Sequence, residues 1–321
     1  MDAGLVDIHC HGAVGESLGA TEPGSRRAAA HHAAAGVIGL VASLVSGPAG
    51  RMTAEALTLA PLVADGTLLG IHLEGPFLSN RCRGAHDPTA LRDPDPALVE
   101  DLATALADAG APNAIRQVTF APELPGAYGL ISTLGERGIV PALGHTAASA
   151  EGMRTAVDAV LEVCGRPPIV THLFNGMPAF HHRSGGPAAV ALSAAARGEA
   201  YVELIADGVH VAPEVVRLVF DTVGADRVVL VSDAMAATGL GDGHYRLGSA
   251  EVVVRAGVAR LEDAEDAERA EDAEGAGAGA IAGSTSTLAD CLRWAVDVAG
   301  VTAADALTSA THTPLRALGL T

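Results

Sequence analysis

Six residues of this 321-residue chain have types and spacings suited to holding a metal ion and moving a proton. His9 and His11 stand two apart in DIHCHG. On a strand that spacing turns both imidazoles to one face, with Cα atoms roughly 6–7 Å apart, and turns Cys10 the other way. Glu74 closes the apolar run GIHLE before the break at Gly75-Pro76, His145 lies in LGHTAA, His172 in THLFN and Asp233 in VLVSDAMAATG. A carboxylate at the end of a doubly buried strand needs a compensating charge. Glu74 with His145 and His172 would offer one oxygen and two nitrogens, a donor set that leaves a position open for water. Asp233 would then bind a metal or take the proton of the water and return it to a departing amine. Together these groups suit metal-assisted hydrolysis of an amide. Two blander readings compete: His9 and His11 as a core pair, and Glu74 in a salt bridge to Arg81 or Arg83, which would give the histidines no reason to converge.

The elements that must position these residues are short β-branched runs alternating with Ala-rich helical segments. Strands are predicted over 5–11, 37–45, 68–74, 115–123, 139–145, 168–174, 201–207 and 228–233. Between them lie helical stretches such as 149–163, where Met153, Val157, Val160 and Leu161 share one face. Eight βα units in about 230 residues predict an α/β TIM (β/α)8 barrel, since that fold takes roughly 250 residues. A doubly wound sheet is the competing fold, but no GxGxxG opens one. In the barrel every candidate falls at the C-terminal mouth of a strand, where barrel enzymes carry their chemistry.

Composition removes several classes of function. The net charge of −18 argues against nucleic acid, which needs a basic surface. No apolar run approaches the length of a membrane span, and the N-terminus lacks the pattern of a signal peptide. The four cysteines are widely spaced without a CxxC pair, so the chain reads as cytoplasmic and without a disulfide framework. All 20 basic residues are arginine. Schiff-base chemistry and a metal centre bridged by carbamylated lysine are therefore excluded. Residues 262–279 are acidic and low in complexity, and read as a solvated insertion within a single domain spanning 1–321.

Other polar groups point to an anionic substrate. Asn175-Gly176 follows His172, and Arg183 lies in FHHRSGGP, where its planar fork would suit a phosphate. A surface charge is the competing reading of Arg183. His86 in GAHDP and His210 in IADGVH lie on loops beside the mouth, placed to contact sugar hydroxyls. His31, His32, His181, His182, His244 and His312 read as structural or surface residues.

The ordered set DIHCHG, GIHLEGPFL, GAHDP, LGHTAA, THLFNGMP, HHRSGGP, IADGVH, VSDAMAATG and IAGSTSTL resembles the N-acetylglucosamine-6-phosphate deacetylase family of the amidohydrolase superfamily. The resemblance implies hydrolysis of the acetamide of a phosphosugar, with Glu74, His145 and His172 on the main metal. It also implies a second metal at His9 and His11 with Glu74 bridging, and Asp233 as catalytic acid and base. The ion expected is zinc, with iron, manganese or cobalt as alternatives, one or two per chain. Ala85, His86, Asn175, Gly176, Arg183, Asp207, His210, Ile281, Ala282 and Gly283 match positions that contact substrate. In the family the arginine at the Arg183 position reaches the neighbouring subunit's phosphate site, which implies a homodimer. The sequence departs from the family pattern at both ends, where segments of a small β-sandwich are expected to be largely missing, and at the acidic insertion. Two other functions stay open: the same reaction on the galactosamine epimer, and a truncated, non-catalytic remnant that binds metal or a partner subunit.

Overall fold

A computed structural model describes residues 4–262 and 279–321. Its largest sheet holds eight parallel strands in chain order: β1 (Leu5–Cys10), β2 (Val37–Val45), β3 (Gly70–Glu74), β4 (Ile115–Phe120), β5 (Val140–Leu143), β6 (Ile169–Val170), β7 (Tyr201–Ile205) and β8 (Val228–Val231). Runs such as VVLV in β8 are buried throughout, as expected of parallel strands covered on both faces. The last strand returns to the first. Asp233 N donates to His9 O at 2.9 Å, and His11 N donates to Ala234 O at 2.7 Å. The buried carboxylate of Asp7 tightens this seam by accepting from Ser232 N at 3.3 Å and Ser232 Oγ at 2.5 Å. The ring is the (β/α)8 barrel that the alternating pattern predicts.

Helices α1 (Glu22–Ala34), α2 (Ala49–Ala64), α3 (Pro96–Asp108), α4 (Ala127–Glu136), α5 (Ala150–Cys164), α6 (Gly186–Ala196) and α7 (Pro213–Val223) cover the outside. The apolar stripe of α5 is buried at Met153, Ala156, Val157 and Val160. Ser149 caps that helix by accepting from Gly152 N at 3.1 Å, and Gly165 ends it in the left-handed conformation. After β8 comes a three-stranded antiparallel sheet, β9 (Gly243–Leu247), β10 (Ala250–Arg255) and β11 (Val258–Leu261). The sequence reading did not place it. Its alternation is short and its apolar face small, with Val252, Val254 and Ala259 packing on Met235, Ala237 and Ala282. Helices α8 (Leu288–Asp297) and α9 (Ala303–Leu318) complete the chain. The end of α9 plugs the base of the barrel, where Ala317 and Leu318 meet Val6, Val41, Val140 and Val229.

Six strands stop earlier than the sequence predicts. β1, β4 and β7 end at Cys10, Phe120 and Ile205. β5, β6 and β8 end at Leu143, Val170 and Val231, short of His145, His172 and Asp233. Those three residues have φ of 45°, 26° and 50°. A side chain that continued the ladder would be committed to the alternation of the pleat, whereas the left-handed backbone turns it inward at a cost of about 1–3 kcal/mol each. The acidic insertion lies, between 263 and 278, outside the described residues. Among the described residues no helix is long and apolar enough to cross a membrane.

Because Ser149 is exposed and contributes to α5 through its cap bond, Ser149→Ala should cost about 0.5–2 kcal/mol. Urea denaturation should show that loss with an unchanged slope.

Candidate functional site

Glu74 is the hub of the barrel mouth. Its side chain is buried, and five imidazoles from four parts of the barrel aim a ring nitrogen at it. His145 Nε2 and His172 Nε2 each lie 3.0 Å from Glu74 Oε1 and 3.0 Å from one another. His11 Nε2 is 3.2 Å and His86 Nε2 3.4 Å from Oε2, and His9 Nε2 is 3.5 Å from Oε1. Asp233 Oδ1 stands 3.2 Å from His11 Nε2 and 3.4 Å from His9 Nε2. Among the described residues the Glu74 carboxylate is paired with these histidines.

The opposite nitrogen of most of these rings is anchored. His11 Nδ1 faces Ser43 O at 3.1 Å, His145 Nδ1 faces Cys82 O at 2.8 Å and His9 Nδ1 faces a Glu203 carboxylate oxygen at 2.9 Å. A carbonyl or carboxylate accepts only, so each Nδ1 carries the proton and each Nε2 presents a lone pair. His9 Nε2 is fully buried without a hydrogen-bond partner. The Nε2 atoms of His145 and His172, 3.0 Å apart beside a carboxylate, need a proton or a metal ion among them. A tetrahedral ion with bonds of about 2.0–2.1 Å sets its donors about 3.3–3.4 Å apart, close to the triangle formed by Glu74, His145 and His172. His9, His11, Glu74 and Asp233 form a second set with wider spacing. Geometry also permits His86 beside Glu74 and His145. The residues therefore fit a divalent metal.

Without a metal, protons must take its place. Burial opposes charge on His9 and His11, but Glu74 and Asp233, joined for His9 by Glu203, outweigh it and raise both, His11 to about 9. Burial likewise opposes ionisation of Glu74, yet the His9 charge and hydrogen bonds from His11 and His145 hold it well below the usual carboxylate range. Asp233 is held low in the same way, chiefly by His9 and His11 against its burial. His86 goes the other way: burial lowers it to about 4, so it is a neutral ring near pH 7.

A cavity of about 740 Å³ opens above the cluster. Ala85, His86, Asn175, Gly176, His210, Ile281 and Gly283 line it, as do Glu74, His11, His145, His172 and Asp233. Gly176, with φ of 60°, lies so close to His145 that a Cβ would come within 2.8 Å of Nδ1. Three expected contacts lie elsewhere. Ala282 is packed under the three-stranded sheet. Asp207 accepts from His210 Nδ1 at 2.8 Å and from Ser284 Oγ at 2.8 Å, and so orients His210 from outside the cavity. Arg183 is exposed on the 180–184 loop, and its guanidinium does not line this chain's cavity.

Other buried polar groups escaped the sequence reading. His72 on β3 bonds Ser43 Oγ at 2.9 Å and Thr119 Oγ1 at 2.8 Å, and packs edge-on to His9 at 4.6 Å. Burial, reinforced by the His9 charge, pushes it well below the usual imidazole range, so it is a neutral spacer. Glu203 on β7 is wholly buried behind His9. It was detectable by the argument applied to Glu74, as a lone carboxylate in the apolar run YVELIA. Arg260 of β11 also lines the cavity, and only the unanticipated sheet brings it there.

No family model matches the chain. Among curated proteins, N-acetylgalactosamine-6-phosphate deacetylase of Escherichia coli O157:H7 is 32% identical over 98% of this chain and 77% of its own length. The N-acetylglucosamine-6-phosphate deacetylases of Vibrio furnissii and Homo sapiens are 32% and 34% identical, over 99% of this chain and 73% and 74% of theirs. Among solved structures, a mutant N-acetyl-D-glucosamine-6-phosphate deacetylase from Mycobacterium smegmatis, in complex with N-acetyl-D-glucosamine-6-phosphate, superposes with a TM-score of 0.86. It is 40% identical, with 99% of this chain and 77% of that one covered. The Thermotoga maritima enzyme gives 0.83 at 28% identity, covering 99% and 78%. With this identity along nearly its whole length and the same barrel, the chain belongs to the N-acetylglucosamine-6-phosphate deacetylase family.

Proposed function

We propose that this chain hydrolyses the acetamide of N-acetyl-D-glucosamine 6-phosphate, giving D-glucosamine 6-phosphate and acetate. The observation that carries the reading is the buried Glu74 carboxylate, ringed by imidazole Nε2 atoms and adjoining Asp233 at the floor of a cavity. Glu74, His145 and His172 would hold the main divalent ion, and His9 and His11 a second one that shares Glu74. Zinc suits nitrogen and carboxylate donors at these spacings best. The chemistry such an ion supplies is polarisation of the amide carbonyl and acidification of water.

The chain's own groups do the rest. Asp233 is ionised at rest and faces the cavity, so it takes a proton from water as the oxygen adds to the carbonyl carbon. It returns that proton to the nitrogen as the C–N bond breaks, which frees the amine and leaves acetate. His210, aimed by Asp207, and His86, held through Nδ1 by Ser46 Oγ at 2.9 Å, line the space where sugar hydroxyls would lie. Arg183 is exposed and does not line its own cavity, which supports a homodimer in which it reaches the phosphate of a neighbouring chain.

Acetate release from the gluco and galacto 6-phosphates, compared by kcat/KM, tests the substrate. The gluco epimer should be preferred, and a preference for the galacto epimer would overturn that assignment. Asp233→Asn should lower kcat by about 10²–10⁴-fold with zinc retained at Glu74, His145 and His172; near-normal kcat would remove Asp233 from the mechanism. A charge-assisted hydrogen bond contributes about 1.5–3 kcal/mol, so Arg183→Ala should weaken use of the phosphorylated sugar by about one to two orders of magnitude. Unphosphorylated N-acetylglucosamine should be affected little, and an equal loss on both sugars would make Arg183 a structural residue.

A further inference from the structure

Behind the cluster, Glu203 meets three donors with its two oxygens. Oε2 lies 2.9 Å from His9 Nδ1 and accepts from the backbone N of His172 at 3.2 Å. Oε1 accepts from Gln117 Nε2 at 3.2 Å. The Gln117 amide is fixed in that orientation because the same Nε2 also donates to Ile8 O at 3.0 Å. Glu203 is fully buried and does not line the cavity, so it has no direct access to substrate. His72 packs edge-on against the His9 ring, leaving that ring little freedom to turn.

We infer that Glu203 is the positioning residue of the His9–His11 site, accepting the Nδ1 proton of His9 and so aiming its Nε2 lone pair at the space between Glu74 and Asp233. The inference rests on reading the cluster as a metal centre. Its independent support is that lone pair itself, which is buried and unpartnered, 3.5 Å from Glu74 Oε1 and 3.4 Å from Asp233 Oδ1. An acceptor among acceptors is stable only around a cation. Removing a carboxylate that orients a ligating histidine typically weakens metal binding about 10–100-fold.

Glu203→Gln discriminates well because it preserves shape and fails chemically. Its amide brings one oxygen to a place where three donors converge. Either its N–H opposes Gln117 N–H, or it opposes the N–H groups of His9 and His172. In the second case His9 keeps its place by moving its proton to Nε2, which removes the lone pair offered to the metal.

The test is stepwise zinc binding to metal-free wild-type and variant protein, in competition with a chromophoric chelator at fixed pH. Wild type should take up two zinc ions, and Glu203→Gln should weaken one of them by about 10–100-fold and spare the other. In a His9→Ala background the same substitution should leave the remaining zinc affinity unchanged, since the coupling partner is gone. If Glu203→Gln fails to fold, Glu203→Asp keeps the charge but shortens the reach, and should show a smaller loss at the same site only. Two ions bound as tightly by either folded variant as by wild type would overturn the inference. So would an equal loss at both sites, or a loss that persists without His9, since either would make Glu203 a general structural brace. Uptake of one ion by wild type would end this inference and leave the metal reading standing, whereas uptake of none would end both.

Discussion

A carboxylate buried at the end of a barrel strand, in a chain without lysine and with five imidazoles around it, is the constraint around which this molecule is arranged. Glu74 cannot be left unpaired in such a place, because the desolvation of an isolated charge costs several kcal/mol. Its neighbours are five imidazoles, each polar enough to accompany it and none carrying a fixed charge. Such a group is a host for cations. With protons alone, His9 and His11 are forced above their ordinary range to neutralise Glu74 and Asp233. A divalent ion does the same with fewer particles and frees the histidines to act as neutral ligands.

The surrounding backbone is shaped to that end. His145, His172 and Asp233 occupy left-handed backbone that residues with side chains seldom adopt. The cost is tolerable because eight parallel strands and their helices bury an extensive apolar core that determines where each strand stops. Below the cluster, Ser43, His72, Thr119, Gln117 and Glu203 form a hydrogen-bonded polar layer in the barrel interior. Two of its members fix which ring nitrogen faces inward, Glu203 for His9 and the Ser43 carbonyl for His11. Asp7 serves the same seam, since it ties Ser232 of the last strand to the His9 backbone of the first.

Much of this was legible in the sequence, for identifiable reasons. Apolar runs of six to nine residues separated by helical periodicity specify the barrel, and a lone polar residue at the end of such a run announces itself. That logic found Glu74, His145, His172 and Asp233. It was not applied to Glu203, a lone carboxylate in the apolar run YVELIA, while Asp207, four residues on, entered only through the family resemblance. The structure assigns the two differently: Glu203 backs His9, and Asp207 backs His210. Strand ends were read too long at six of the eight strands, and at β5, β6 and β8 because propensity carries no information about a left-handed residue forced by tertiary contacts. The small sheet at 243–261 was missed because its apolar face is only a few residues wide, and with it the approach of Arg260 to the cavity.

The most direct measurement of the central claim is the stabilisation of metal-free protein by zinc, compared between wild type and Glu74→Gln. A ligand at about 100 times its Kd stabilises the folded state by about 2.7 kcal/mol. The amide keeps the size of Glu74 but removes the charge that recruits the ion. Wild type should show that rise in unfolding free energy, with at least one zinc per chain retained on gel filtration, and Glu74→Gln should show almost none of either. Equal stabilisation of the two proteins, with equal zinc content, would contradict the account.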